Sequence, residues 1–275
     1  MSEPKYTRQT TKECKGLKYE SSKYPYIYGK QGCVYTSGCG LCASKTIVEG
    51  MLNYTTNTKA WRDYMLKIGA RNTNGTNMSI VAKNLKKDFG INCVTTNNVN
   101  ELVQHLRKGL KAVVNVGAAN IFSSDGHWIS AVGITPEGKI ICYDSYWYEG
   151  KFNTNYRKKY IKVHGRKCYI SPKNLDKDAQ GNKYWLFTPT KNIKHKYCTD
   201  DYMLHKTVKK TVKANGGLKG YKSIKATIYT LIPNGATVIV KKSNAGTKKI
   251  REHSYTMSLI KYKGVEYYVA KEYLK

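Results

Sequence analysis

The sequence predicts an α+β protein of two domains, and three observations carry that prediction. Helical periodicity is concentrated between residues 39 and 110, short β-branched runs follow up to residue 143, and from residue 201 onward short strands alternate with turns. A polar, basic stretch separates the two textures, so the expected division is a first domain over 1–190, a linker over 191–205 and a small all-β barrel over 206–275. At 275 residues, the chain is long enough for each part to bury a core.

After a polar, tyrosine-rich lead, the run from Cys39 to Tyr54 reads as a helix with Leu41, Thr46, Ile47 and Met51 on its apolar stripe. A second helix is expected from Asn77 to Phe89, with Gly90 as its stop. A third runs from Asn100 to Leu110, with Leu102, Val103, Leu106 and Leu110 inward and Asn100 as cap. Strands are expected at Ala112 to Val116, Trp128 to Ile134 and Lys139 to Tyr143, separated by glycine-containing turns. In the C-terminal part the strands are Thr227 to Leu231, Thr237 to Lys241, Ser258 to Tyr262 and Glu266 to Ala270, with Tyr229, Tyr268 and Tyr273 expected in the core.

Charge is the strongest bulk feature. Forty-eight Lys and Arg against 18 Asp and Glu give +30, which points to a polyanionic partner: nucleic acid, anionic lipid or an anionic wall. Residues 191–275 hold 19 of the basic and 5 of the acidic residues, so the C-terminal part is the more basic per residue. No apolar run approaches the roughly 20 residues of a membrane helix, and the N-terminus MSEPKYTRQTTKECKG lacks the apolar segment of a secretory signal. The expectation is therefore synthesis in a reducing cytoplasm, with the eight cysteines mostly free thiols.

One of those thiols stands in a telling place. In TSGCGLCASKTIVEGM, residues 36–51, Cys39 lies between Gly38 and Gly40 at the head of the first expected helix. Unpaired N–H groups and the macrodipole favour a thiolate there, and the flanking glycines are expected to leave room for a substrate carbonyl. A nucleophilic cysteine needs a base, and His127 opens an apolar strand directly after a glycine-containing turn. If residues 135–138 form the turn of the following hairpin, position 134 opposes 139, position 127 opposes 146, and Asp144 lies diagonally from His127 on the same face. Asp144 is then placed to hold the imidazole, giving a Cys–His–Asp set. Cys42 completes a Cys-x-x-Cys pair, but the βαβ setting of a redox motif and the further ligands of a zinc site are missing nearby, so it reads as a core residue.

The stretch SGCGLCAS, followed about 90 residues later by FSSDGHWISAVGITPEGKIICYDS, resembles the family-39-like cysteine peptidases, a papain-like group. The resemblance covers roughly residues 20–190 and implies Cys39 as nucleophile, His127 as general base and acid, and Asp144 as the orienting residue. Papain-like enzymes usually carry an oxyanion glutamine six residues before the cysteine. Here Cys33 holds that position and Gln31 stands eight before, so Gln31 is the candidate oxyanion donor by resemblance alone. The stretches KGYKSIKATIYTLIPNGATVIVKK and YTMSLIKYKGVEYYVAKEYLK are similar to bacterial SH3-like domains, which commonly bind cell walls.

Together these readings predict a peptidoglycan hydrolase, similar to a bacteriophage endolysin, that cleaves an amide of the stem peptide or cross-bridge with no cofactor and no metal. The expected partners are peptidoglycan and anionic wall polymers, and the expected form is a monomer made in the cytoplasm and acting at the wall. Two alternatives remain at this point: a cysteine protease acting on a peptide or protein, and a non-enzymatic polyanion or nucleic-acid binder using the basic surface and the 24 tyrosines.

Overall fold

The computed structural model describes residues 4–22, 25–26, 32–52, 54–73, 75–190, 205–206 and 208–275. Contacts divide the chain into two compact units, 1–204 and 205–275. Both are built on antiparallel sheets, and the first adds helices, so the chain is mixed α and β.

In the first unit the helices are α1 (Lys12–Gly16), α2 (Val34–Ser37), α3 (Cys39–Leu52), α4 (Thr58–Lys67), α5 (Met78–Phe89), α6 (Val99–Arg107), α7 (Asn155–Lys158) and α8 (Pro172–Asp178). The strands of its main sheet are β1 (Ile91–Thr96), β2 (Lys111–Val116), β3 (His127–Ile134), β4 (Ile140–Tyr143), β5 (Ile161–His164), β6 (Lys167–Ile170) and β7 (Ala179–Pro189). They form one seven-stranded sheet in the order β1-β7-β2-β3-β4-β6-β5.

Both faces of that sheet are covered, which explains why β2 reads as an almost unbroken apolar run. Ala112, Val114 and Val116 alternate onto one face with Leu102 and Leu106 of α6 and Leu175 of α8. Val113 faces the other way, among Leu41, Val48, Trp61 and Leu85 from α3, α4 and α5. The helix α3 lies between its neighbours and the sheet, and every residue from Gly40 to Leu52 is buried. A helix surrounded on all sides shows no simple amphipathic stripe, and the four apolar positions expected from sequence are only part of what it buries.

Side-chain caps fix where the helices begin. Asn57, Asn77 and Asn98 accept first-turn N–H bonds at α4, α5 and α6. Asn98 therefore replaces the expected cap Asn100, which sits inside the first turn and donates its backbone N–H to the Asn98 side chain. Gly90 ends α5 with φ of 67°, a left-handed conformation that glycine adopts without strain.

Four strands of this sheet lie outside the sequence expectation: β1, β5, β6 and β7. Strand β7 lies between the edge strand β1 and β2, so residues late in the unit pair with much earlier ones: Trp185 pairs with both Thr95 and Val113. Between Ala179 and Tyr184 the register with β2 shifts, and that irregularity interrupts the alternation that would announce a strand.

The second unit contains β8 (Val208–Thr211), β9 (Leu218–Tyr221), β10 (Tyr229–Ile232), β11 (Thr237–Ile250), β12 (His253–Tyr262) and β13 (Val265–Ala270), in the order β8-β11-β12-β13-β9-β10. It is a curled, half-barrel sheet around Val212, Leu218, Ile232, Val238, Ile260 and Val269. The long β11–β12 hairpin runs well past the strands expected at 237–241 and 258–262. The tyrosine expectation fails here. Tyr229 is 47% exposed, Tyr268 and Tyr273 are half-buried, and Tyr221 and Tyr267 are the buried ones. Edge strand β10 leaves Tyr229, Thr230 and Leu231 facing out, with only Ile232 inside.

Candidate active site

Two neighbouring helices set the position of Cys39. The N–H of Gly38 closes the short turn α2 onto the Val34 carbonyl at 2.8 Å, and the N–H of Cys42 bonds the Gly38 carbonyl at 2.8 Å to start α3. Cys39 is thus the first residue of a 14-residue helix and half-buried. The flanking glycines have a different reason from the one expected. A methyl on Gly40 would lie 2.6 Å from Cβ of Thr76, and one on Gly38 would lie 2.3 Å from the Val34 carbonyl oxygen. They admit close packing of the protein on itself, which is what seats the cysteine.

His127 begins β3, opposite Val116. The loop before it is held from below by Asp178, whose buried carboxylate accepts the N–H groups of Ala119, Ile121 and Phe122 at 2.9–3.1 Å. Strand β4 returns antiparallel to β3. Ser130 opposes Tyr143 and Ala131 opposes Cys142, the expected register, while an irregularity between 131 and 133 shifts the pairs nearer the turn to Ile134 opposite Ile140. The slip falls on the far side of residue 131, so the pairs nearest the site keep the register that puts residues 127 and 144 together.

They meet directly. His127 Nε2 lies 2.8 Å from Asp144 Oδ1, with 6% and 0% of the two residues exposed. The second ring nitrogen, Nδ1, is the one Asp144 does not engage, and Cys39 and His127 lie close enough for each to shift the other's titration. Burial alone would raise the Cys39 thiol. The His127 hydrogen bond and charge, together with N–H groups of Trp128 and Gly40 directed at the sulfur, outweigh it and hold the thiol below its ordinary range. Burial also opposes charge on His127, yet the Asp144 carboxylate and the Cys39 sulfur push the imidazolium up to about 9. For Asp144 burial is again overcome, by His127 and by Lys151, and the carboxyl falls to about 2. The three shifts share one cause: opposite charges close together in a site shielded from water.

Lys151 is the residue of this site that sequence reasoning missed. Its Nζ lies 2.5 Å from Asp144 Oδ2, and it too is buried. The only signal was local: Glu149-Gly150 after an aromatic run marks a turn, and Gly150 at φ of 76° does send the chain back toward Asp144.

The remaining candidates separate cleanly. Gln31 lies outside the described residues. Cys42 is fully buried in the core among α3 and its neighbours, and burial raises its thiol well above the ordinary value. Seven cysteines, at 14, 33, 39, 42, 93, 142 and 168, are unpaired, and no group of three or more potential ligands able to hold a metal occurs among the described residues. His105, the other buried histidine described, is a structural bridge: Nε2 contacts the carbonyls of Lys111 and Phe187. No helix among the described residues is long and apolar enough to cross a membrane. The chain matches no protein-family model, and no curated protein matches it in sequence.

Proposed function

We propose that the chain is a cysteine hydrolase of peptidoglycan, with a papain-like catalytic unit and an SH3-like wall-binding unit. The observation that carries the reading is the Cys39–His127–Asp144 contact at the head of α3, with the thiol lowered and the imidazolium raised. Such a pair is stored as thiolate and imidazolium, ready for attack on an amide. The sulfur adds to the amide carbon, and the N–H groups at the open end of α3 face the resulting oxyanion. The tetrahedral intermediate collapses as His127 passes its proton to the leaving amine, which leaves a thioester on Cys39. His127, now neutral, takes a proton from water, the hydroxide adds to the thioester, and the acid product departs as the sulfur leaves as thiolate, which restores the thiolate–imidazolium pair.

Peptidoglycan as substrate rests on the second unit and on charge. A six-stranded half-barrel with exposed Tyr229, Ile228 and Leu231 on a protein of +30 suits an anionic, peptide-bearing polymer. Purified walls digested with the protein should release fragments with new amine termini, and mass spectrometry of those fragments names the bond. Intact walls after prolonged incubation would overturn the reading, and cleavage of casein instead would move it to a general protease.

The ion pair also sets a pH profile. It needs Cys39 deprotonated and His127 protonated, so activity rises through the lowered cysteine pKa and falls as pH passes the raised histidine pKa. The alkaline limb of kcat/KM is therefore expected near pH 9. A limb near 6.5, where an unperturbed imidazole titrates, would show that Asp144 and Cys39 do not act on His127 as described.

A further inference from the structure

Asp144 uses both of its oxygens, and only one of them serves His127. Oδ1 accepts from His127 Nε2 at 2.8 Å and from the Tyr146 N–H at 3.0 Å, while Oδ2 accepts from Lys151 Nζ at 2.5 Å. The lysine is 4% exposed, and its stem runs past aromatic rings, with Nζ 5.4 Å from the Tyr146 centroid and 5.5 Å from that of Phe152. Nζ also donates to the Tyr146 carbonyl at 2.9 Å, and Arg157 Nη1 holds the Lys151 carbonyl at 3.0 Å. A long, flexible side chain has here been fixed in one geometry, under cover, with its charge on a single acid.

Charge explains why. In the reactive state the thiolate, the imidazolium and the carboxylate sum to −1 in a site where His127 and Asp144 are buried and Cys39 is half-buried. A buried net charge of that kind is relieved by taking up a proton, and the proton would quench the sulfur or the acid. An ammonium group at Asp144 brings the sum to zero. The other titratable groups facing Asp144 supply no cation: Tyr6 donates its hydroxyl to the Asp144 carbonyl at 2.6 Å, and Cys142 and Cys168 are buried thiols driven upward, each in part by the Asp144 charge. Arg166 lies over the Tyr6 ring, 5.8 Å from its centroid.

We propose that Lys151 is a positioning residue of the active site, the fourth charge that neutralises the Cys39–His127–Asp144 cluster and keeps the carboxylate aimed at the imidazole. It touches no reacting atom and acts through Asp144. The inference rests on the nucleophilic reading of Cys39, and its test separates the two.

The experiment is alkylation of Cys39 by iodoacetamide across pH, read by mass spectrometry of the Cys39 peptide in the full-length protein, which needs no substrate. Wild type is expected to alkylate with a midpoint well below that of an ordinary thiol. In Lys151→Met the midpoint should rise measurably above the wild-type value, because the net negative charge left on the cluster disfavours the thiolate. The double variant Lys151→Met/Asp144→Asn removes both charges and leaves no buried ion unpaired, so its midpoint should return toward wild type. A lysine that only braces the loop would lower the melting temperature and leave the midpoint in place. An unmoved midpoint in Lys151→Met, or a double variant displaced further than the single one, overturns the proposal. A wild-type midpoint near 8.5, the ordinary cysteine value, instead overturns the nucleophile beneath it.

Discussion

Cys39→Ala is expected to lower kcat for wall hydrolysis by roughly 10⁵- to 10⁶-fold, the scale on which removal of a nucleophile from a catalytic triad operates. The substitution should leave the fold almost untouched. Alanine is the strongest helix former and removes a single sulfur at the half-buried first position of α3, where no core packing depends on it. Loss of activity with an unchanged melting temperature therefore reports chemistry. The thiolate has no substitute within the site, because the nearest cysteine in sequence, Cys42, is sealed in the core and driven upward by burial. Cys39→Ser should be nearly as inactive, since a hydroxyl at that place stays protonated where the thiol is lowered. If Cys39→Ala digests purified walls at the wild-type rate, the hydrolysis lies elsewhere and the assignment falls.

The parts of the site that were legible in sequence are those fixed by local rules. A glycine-flanked cysteine before a helix, and a histidine and an aspartate on one hairpin, need only helix periodicity and strand alternation to be placed. Even there the reasons differed from expectation. Gly38 and Gly40 are small because Val34 and Thr76 press on them, and the β3–β4 register survives because its irregularity lies beyond Ala131. Lys151 was illegible for a physical reason. Nothing near it in sequence marks a lysine as buried, and its partner oxygen exists only once the 144–151 loop has closed. Strand β7 was missed in the same way, since its paired residues in β1 and β2 lie 63 to 98 residues earlier in the chain. In the second unit, tyrosines that alternate in sequence did not reveal which face of an edge strand is covered.

A second large effect lies further along the helix that carries Cys39. Lys45 Nζ and Glu49 Oε1 meet at 2.7 Å with side chains 3% and 1% exposed. Lys45 also donates to Thr7 Oγ1 at 3.0 Å, and Glu49 Oε1 accepts the Thr56 N–H at 2.8 Å, so the pair ties α3 both to the N-terminal segment and to the residues leading into α4. Glu49 Oε2 has no partner among the described residues, so the carboxylate is held by one oxygen. Removing one member of such a pair strands the other charge without water, and the expected cost of Glu49→Ala is about 3–5 kcal/mol. With a urea m-value of about 2–3 kcal/mol/M, the midpoint should fall by about 1–2.5 M. Tryptophan fluorescence reads this in the intact chain, because Trp61, Trp128, Trp147 and Trp185 all belong to the first unit and the second contains none. Replacing both members, Lys45→Met with Glu49→Leu, exchanges two buried ions for apolar side chains of similar length and should recover most of the loss. A Glu49→Ala midpoint within experimental error of wild type would mean that the pair is hydrated in solution. The helix would then owe its place to its apolar contacts with the sheet and with α4 and α5.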